Sequence, residues 1–163
     1  MAVDPAAFKD VLSSFASGVT VVTTMFEARP YGLTVSAFSS VSARPPRVLV
    51  CLGNDTDTKP LLERAGSFTV HFLGREQSGL ALRFAKLLPD AGDPFVELAY
   101  GLAPSGSPLL AECTAWLDCR VESAVIAGDH TIFVGAVEAA ARRSDAEEPL
   151  LYYRRAFRKL EQA

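Results

Sequence analysis

The sequence predicts a mainly β fold, an antiparallel barrel or sandwich flanked by short helices. Six or seven segments rich in β-branched and aromatic residues follow one another at intervals of about 8–12 residues. Short turn signals separate the later segments, such as Gly128–Asp129 and the stretch 144–149. This spacing favours antiparallel pairing over a parallel α/β sheet.

The first element is predicted to be a helix over residues 5–17. Its apolar side chains Phe8, Val11, Leu12 and Phe15 recur at the spacing of one helical face. Asp4 suits the N-cap with proline in the first turn, and Gly18 suits the end of the helix.

A run of strands follows the first helix. Pro30 and Gly32 place a hairpin connection at 27–32, and the prolines of 43–47 interrupt the chain again. Strands are therefore predicted over 19–26, 33–42 and 48–53.

The middle of the chain is predicted to mix short helices with one strand. Thr58 is the expected N-cap of a helix within 54–66, and Gly66 is its expected end. A strand over 67–74 and a helix over 76–86 come next. The stretch 87–108 is predicted to be a loop with a short strand, and further strands are predicted over 114–128, 130–143 and 150–160.

Composition limits the function classes. The 163 residues predict one domain over 1–163, and the net charge of −3 with a pI near 5.4 argues against a nucleic-acid partner or an anionic membrane partner. No apolar run reaches the ~18 residues of a membrane span. Without a signal-peptide pattern, a cytoplasmic location is expected. Cys51, Cys113 and Cys119 fit no zinc spacing and are expected to be free thiols.

Small hydroxyl side chains mark one candidate site. A strand built this way would let a flat ligand reach backbone N–H and C=O groups, although a solvated strand face has the same pattern. Neither a dinucleotide-binding glycine motif nor a P-loop is present in the sequence. The hydroxyl residues are Thr34, Ser36, Ser39, Ser40 and Ser42.

A second candidate lies at the start of the helix in 54–66. Hydroxyl, amide and ammonium groups beside a helix N-terminus can bind an anion, but the same residues also suit an ordinary cap and polar loop. Asp55 and Asp57 would weaken that site if they pointed inward. The candidate ligands are Asn54, Thr56, Thr58 and Lys59.

Three further side chains have two interpretations each. Arg83 is either a phosphate ligand or a solvated helix residue. His130, which follows Gly128–Asp129 and precedes an apolar run, either caps a turn or positions a ligand. His71, inside a strand, is expected to be structural.

These clusters resemble, in order along the chain, the short-chain flavin reductases of the FMN-binding split-barrel superfamily. The resemblance is carried by FASGVTVVTT, GLTVSAFSSVSARPPRVLVCL, TKPLLERAGSFTV, LALRFA, GSPLLAECTAWLDCRV, GDHTIFVGAV and PLLYYRRAFRKL. It implies a homodimer of six-stranded antiparallel split β-barrels with Greek-key-like topology, with flavin near the subunit interface. One departure is His71, where many members carry asparagine.

The resemblance also implies roles for individual residues. The strand at 34–40 would line the flavin ring, the loop at 51–58 would hold the ribityl and phosphate groups, and Arg83 with Phe84 would approach the phosphate or adenosine side. Gly128, Asp129 and His130 match a motif linked with NAD(P)H binding, and Tyr153 matches an aromatic residue near the rings. The implied cofactor-binding residues are Thr34, Val35, Ser36, Ala37, Ser39, Ser40, Cys51, Asn54, Thr56, Thr58, Lys59, Arg83, Phe84, Gly128, Asp129, His130 and Tyr153.

The leading hypothesis is therefore an NAD(P)H:flavin oxidoreductase. It would take FMN or FAD and either NADH or NADPH, and would supply reduced flavin to a partner flavin monooxygenase. His130 would hold the nicotinamide carboxamide or handle a proton near the flavin, the first being favoured. The alternatives are a flavin carrier without NAD(P)H turnover and a plain β-barrel interaction domain.

Overall fold

A computed structural model describes residues 3–89, 92–145 and 148–160. The largest sheet is antiparallel and has seven strands in the order β3-β2-β6-β9-β10-β5-β4. Its strands are β2 Thr20–Phe26, β3 Arg29–Val35, β4 Phe38–Ala43, β5 Pro46–Gly53, β6 Ser67–Phe72, β9 Ala115–Ala127 and β10 His130–Arg142.

Two small sheets and three short helices complete the fold. β1 Ser17–Gly18 pairs with the hairpin of β11 Leu151–Tyr153 and β12 Ala156–Arg158, and β7 Tyr100–Leu102 pairs with β8 Pro108–Leu110. The helices are α1 Pro5–Leu12, α2 Thr58–Ala65 and α3 Ser78–Phe84. No helix in the described part of the chain is long and apolar enough to cross a membrane.

The seven-stranded sheet closes on itself through the link between its two end strands. β3 and β4 lie at opposite ends of the sheet order, yet only Ser36 and Ala37 separate them in the chain. Three Cα–Cα steps span at most about 11 Å, so the two ends of the sheet must meet. Counting the interrupted run 29–43 as one bent strand gives a six-stranded antiparallel barrel, which confirms the predicted fold class.

Two predicted strands are interrupted in the structure. The run 33–42 breaks at Ser36–Ala37, where the chain leaves one end of the sheet for the other. The run 150–160 is a hairpin whose turn residues Arg154 and Arg155 have φ angles of 49° and 59°. Both breaks come at positions that lack glycine and proline, so the usual turn signals do not mark them.

The first hairpin differs from its prediction. Pro30 and Gly32 lie within β3, and the turn is made by Glu27 and Ala28 with φ angles of 49° and 60°. Gly32 has a packing role there, since a Cβ at this position would meet the Phe84 ring at 2.8 Å. Tertiary packing therefore explains a glycine that suggested a turn.

The helix ends agree in part with the predictions. The Asp4 carboxylate caps α1 by accepting hydrogen bonds from the backbone N–H groups of Ala6 and Ala7, and Gly66 ends α2 with a φ of 72°. α1, however, stops at Leu12 instead of residue 17, and none of its residues is buried. Thr58 is the first residue of α2 and not its cap, a position that Asp57 occupies without a side-chain hydrogen bond.

Two apolar clusters form the core. The larger cluster fills the barrel, where Phe68, Phe133 and Leu62 are fully buried. The smaller one lies between the barrel, α3 and the C-terminal hairpin, and it contains Phe84 and Phe95.

His71 is a structural residue, as expected. It is fully buried, its Nδ1 donates to the carbonyl of Val21 at 3.1 Å, and its Nε2 accepts from the backbone N–H of Leu110 at 3.1 Å. These two hydrogen bonds tie the β7–β8 hairpin to β2. Burial lowers the pKa of His71 from 6.5 to about 4, so the ring is neutral in the folded protein at pH 7.

This burial makes stability depend on pH. The unfolded chain takes up a proton at His71 at a higher pH than the folded protein does. The contribution of the neutral ring to stability is therefore complete above the unfolded pKa and is lost as the pH falls towards the folded pKa. We expect the His71 contribution to the free energy of unfolding to drop by about 2 kcal/mol between pH 7 and pH 5. Urea unfolding at both pH values measures it. In His71→Asn this part of the pH dependence should disappear, and an unchanged difference would refute the assignment.

Candidate active site

A cleft of about 570 Å³ opens where the barrel strands β3, β5 and β10 come together. Three segments that are distant in the sequence line it: residues 33–37, residues 51–56 and the pair Asp129–His130. We call it the first cleft. It brings together nine of the predicted site residues, namely Thr34, Val35, Ser36, Ala37, Cys51, Asn54, Thr56, Asp129 and His130.

The break between β3 and β4 forms one wall of the first cleft. Ser36 and Ala37 are exposed and their backbone leaves the sheet, while Val35 is buried in the barrel core. Thr34 is occupied by a structural contact, because its hydroxyl donates to the carbonyl of Ala81 at 2.6 Å. Small side chains beside open backbone leave room for a flat ligand.

Asn54 and Thr56 order the opposite wall. The Asn54 side chain donates to the carbonyl of Gly128 and accepts from the Thr131 hydroxyl at 2.6 Å, while its backbone N–H donates to the carbonyl of Asp129. The Thr56 hydroxyl donates to the carbonyl of Gly53. Asn54 therefore fixes the position of the β9–β10 turn relative to β5.

The β9–β10 turn presents a paired carboxylate and imidazole. Gly128 has a φ of 66°, which glycine adopts without strain and which lets the turn be tight. The Nδ1 of His130 donates to the Oδ1 of Asp129 at 2.8 Å, and the His130 side chain is half exposed. This hydrogen bond lowers the pKa of Asp129. Since a carboxylate only accepts, the Nε2 of a neutral His130 is left as a hydrogen-bond acceptor.

A second cleft of about 480 Å³ adjoins the first. Ser36, Ala37 and Cys51 line both, so ligands in the two clefts would meet at these residues. Tyr153, a predicted site residue, lines this second cleft. Burial raises the pKa of Cys51, which keeps its thiol protonated and makes it a poor nucleophile.

Several predicted site residues lie outside both clefts. Ser39 and Ser40 are exposed on β4, where they pair with Leu49 and Val48. Lys59 forms an ion pair with Glu63 at 2.9 Å. The buried Thr58 lies against the carbonyl of Gly32. Thr58 and Asp57 are among the residues that line a separate groove of about 360 Å³. Gly128 lies next to the first cleft and is not among its lining residues.

Arg83 and Phe84 have structural surroundings. Phe84 is 2% exposed, and its ring packs edge-on against Phe95 with centroids 5.1 Å apart. The Nε of Arg83 donates to the carbonyl of Pro94 at 2.7 Å, and its Nη2 donates to the carbonyl of Val96. Arg83 thus clamps the loop after α3.

These contacts lead to a prediction for a variant of Arg83. Arg83→Gln should loosen residues 93–96 and speed their amide hydrogen exchange, because two hydrogen bonds to loop carbonyls are lost. Its dissociation constants for FMN and for riboflavin, which lacks the phosphate, should change by the same factor. Calorimetric titration of both ligands measures this. A loss of about tenfold for FMN alone would show instead that Arg83 binds phosphate.

Asp55 and Lys9 line the clefts but are not among the predicted ligands. Asp55 lines the first cleft, and its carboxylate folds over Gly53, where an added Cβ would lie 2.9 Å from its Oδ1. Asp57 points away and pairs with Lys86 at 2.7 Å. Lys9 on α1 lines the second cleft. The acidic loop was visible in the sequence, whereas nothing local links Lys9 to the C-terminal residues that share its cleft.

Comparisons with known proteins identify the family of the chain. Residues 12–161 match the family model of the flavin reductase like domain. The chain is 42% identical over 154 residues to the reductase component of 4-nitrophenol 4-monooxygenase/4-nitrocatechol 2-monooxygenase from Rhodococcus opacus, covering 94% of this chain and 80% of that protein. It is 40% identical over 159 residues to a flavin reductase (NADH) from Kitasatospora aureofaciens, covering 95% and 81%.

A solved structure extends the likeness to three dimensions. The NADH:FAD oxidoreductase SgcE6 from Streptomyces globisporus, in complex with NAD and FAD fragments, superposes with a TM-score of 0.88. Sequence identity is 35%, and the match covers 99% of this chain and 97% of that one. The family match and these likenesses lead to one conclusion: the chain belongs to the flavin reductase like domain family.

Proposed function

We propose that this protein is an NADH-dependent flavin reductase that supplies reduced FMN or FAD to a separate flavin monooxygenase. The observation that carries the proposal is the first cleft, where an open stretch of backbone, an ordered polar loop and a His–Asp pair come together. Relatives that work as reductase components support the oxygenase partner.

The first cleft fits the ring part of a flavin. Its volume lies in the usual range for sites that bind small molecules. The exposed Ser36–Ala37 backbone offers its N–H groups to a ring edge, while its two carbonyls accept from the N–H groups of Phe38 and Cys51. Flavin, when bound, would supply the redox chemistry by accepting a hydride at N5, so the protein has only to bind and orient the two rings. Asn54 and Thr56 remain the proposed ligands for the ribityl chain.

His130 is proposed to orient the hydride donor. With Nδ1–H bonded to Asp129, the neutral ring offers an Nε2 acceptor. The carboxamide of nicotinamide has an NH₂ group that can donate to it. Giving a proton to flavin would first require the ring to become doubly protonated. The tautomer that Asp129 holds therefore favours binding of the carboxamide over proton transfer.

The protein is further proposed to be a homodimer in the cytoplasm. Phe8 and Val11 on the outer face of α1 are 53% and 71% exposed, and Val125 and Ile126 project from the β9–β10 hairpin with 55% and 74% exposed. Patches of this kind usually mark a contact with another protein, and a second copy would cover them. The three free thiols suit a reducing compartment.

Steady-state oxidation of NADH and of NADPH, each with added FMN or FAD, tests the activity. We expect flavin-dependent oxidation, faster with NADH because NADH is the donor named for two relatives. Absence of flavin-dependent oxidation above background with both donors would refute the proposal. If flavin still bound under those conditions, a carrier role would replace it.

A further inference from the structure

The β7–β8 hairpin covers the outer face of the barrel wall that β2, β6 and β9 form. Side chains along these strands alternate between the barrel core and this outer face. Four polar residues lie on the outer face beneath the hairpin, namely Thr23, Thr69, His71 and Asp118, and each is at most 1% exposed. The hairpin therefore covers a surface that is buried and polar, and we call these four residues the polar seam.

Side-chain hydrogen bonds hold the hairpin on the polar seam. The Asp118 carboxyl accepts from the backbone N–H and the hydroxyl of Ser105 at 2.8 and 2.6 Å, and His71 accepts from the Leu110 N–H. Among the described residues, no backbone–backbone hydrogen bond joins residues 100–110 to a strand of the barrel. Water can replace side-chain bonds of this kind, so the hairpin can detach at a lower cost than a barrel strand.

His71 is the base of the polar seam. A doubly protonated ring has a donor at Nε2, which cannot accept from the Leu110 N–H. β2, β6 and β8 carry no other titratable side chain, and β7 carries the exposed Tyr100. Burial lowers the pKa of His71, while the charge of Asp118 on β9 acts in the opposite direction. Beyond β8, burial raises the pKa of the Cys113 thiol to about 11, so this group stays neutral.

The hairpin also supports α3. Leu110 packs in the smaller apolar cluster beside residues of α3, and the Tyr100 ring packs edge-on against Phe95 with centroids 5.4 Å apart. α3 in turn holds the wall of the first cleft, because the carbonyl of Ala81 accepts from the Thr34 hydroxyl. Release of the hairpin would therefore loosen the packing behind the strand that lines the first cleft.

We propose that the β7–β8 hairpin is an acid-released cover: protonation of His71 detaches it from the barrel wall as a unit, while the barrel itself stays folded. Its release removes support from α3 and weakens flavin binding in the first cleft. The second effect rests on the proposed function, because flavin in that cleft belongs to that proposal. The opening of the hairpin does not depend on it.

Amide hydrogen exchange of the ligand-free protein tests the opening. The Leu110 N–H reports the polar seam, and the amides of β10, which lies between β9 and β5, report the barrel. After correction for intrinsic rates, we expect Leu110 to be at least about tenfold less protected than β10 and nearly insensitive to low urea. Its protection should fall about sevenfold between pH 6 and pH 5, because opening takes up a proton at His71. If Leu110 exchanges together with β10 at every urea concentration, the proposal is wrong.

Two variants assign the pH response. In His71→Asn the sevenfold change should disappear, and a change that persists would trace the response to Asp118 and overturn the role of His71. If His71→Asn does not fold, His71→Gln offers a longer amide for the same comparison. Thr23→Val is the matched control, because the Thr23 hydroxyl donates to the carbonyl of Pro108 at 2.6 Å and does not titrate. It should weaken the protection of Leu110 equally at both pH values and keep the sevenfold change.

Exchange in the presence of FMN tests the link to the first cleft. With FMN at about a hundred times its dissociation constant, the protection of Leu110 should rise more than about tenfold, because flavin favours the closed state. Bound FMN that leaves this protection unchanged would overturn the link. If FMN does not bind at all, the proposed function and the link both fail, whereas the opening measured without ligand still decides whether the hairpin is an acid-released cover.

Discussion

Replacing Phe84 by alanine should lower the free energy of unfolding by about 3–5 kcal/mol. The ring is almost fully buried, packs edge-on against Phe95, and fills the space beside Gly32. Truncation would leave a cavity between α3 and β3. Urea denaturation followed by circular dichroism measures the loss, with Phe84→Leu as the variant that keeps most of the volume and should lose less.

The same variant decides between two roles for Phe84. The family resemblance assigned it to the flavin site, whereas the structure places it in the core cluster with α3. At a temperature where Phe84→Ala is still folded, its dissociation constant for FMN should match that of the wild type. A variant with unchanged stability and weakened flavin binding would contradict the core assignment.

His130→Ala should raise the KM for NADH by about tenfold and leave the dissociation constant of FMN nearly unchanged. The expected size is that of one lost hydrogen bond between the ring and the nicotinamide carboxamide. Steady-state kinetics with NADH and fluorescence titration with FMN measure the two quantities separately. Equal losses in both would mean that His130 belongs to the flavin site and not to the donor site.

A conservative variant and a pH profile separate the two roles left for His130. The amide of His130→Gln can still meet a carboxamide, and this variant should recover part of the loss. If His130 instead handles a proton, glutamine will not help, and the pH dependence of kcat will flatten in both variants.

The sequence predicted the barrel well because short-range features of the chain mark its strands and helix ends. Regular strand spacing, the Asp4 cap and the Gly66 helix end all follow from neighbours in the chain. The breaks at Ser36–Ala37 and at Arg154–Arg155 follow instead from which strands they must join. Closure of a sheet depends on contacts between residues that are distant in the sequence, and the residue types at those positions do not predict it.

The candidate site was predictable where its residues lie in short contiguous segments. The stretch 34–37, the loop 51–56 and the pair Asp129–His130 converge on one cleft because β5 pairs with β10. Arg83 and Phe84 resemble site residues by position in the sequence, yet their contacts are set by the loop 93–98 that folds over α3. Lys9 could not be predicted, since only the tertiary fold brings α1 beside the C-terminal turn.

The central claim is that this protein passes a hydride from NADH to flavin. Mixing the protein and FMN anaerobically with NADH in a stopped-flow spectrometer tests it most directly. We expect the visible flavin absorbance to bleach at a rate that saturates with NADH and slows in His130→Ala. Flavin that binds to the protein but stays oxidised in the presence of NADH and of NADPH would contradict it.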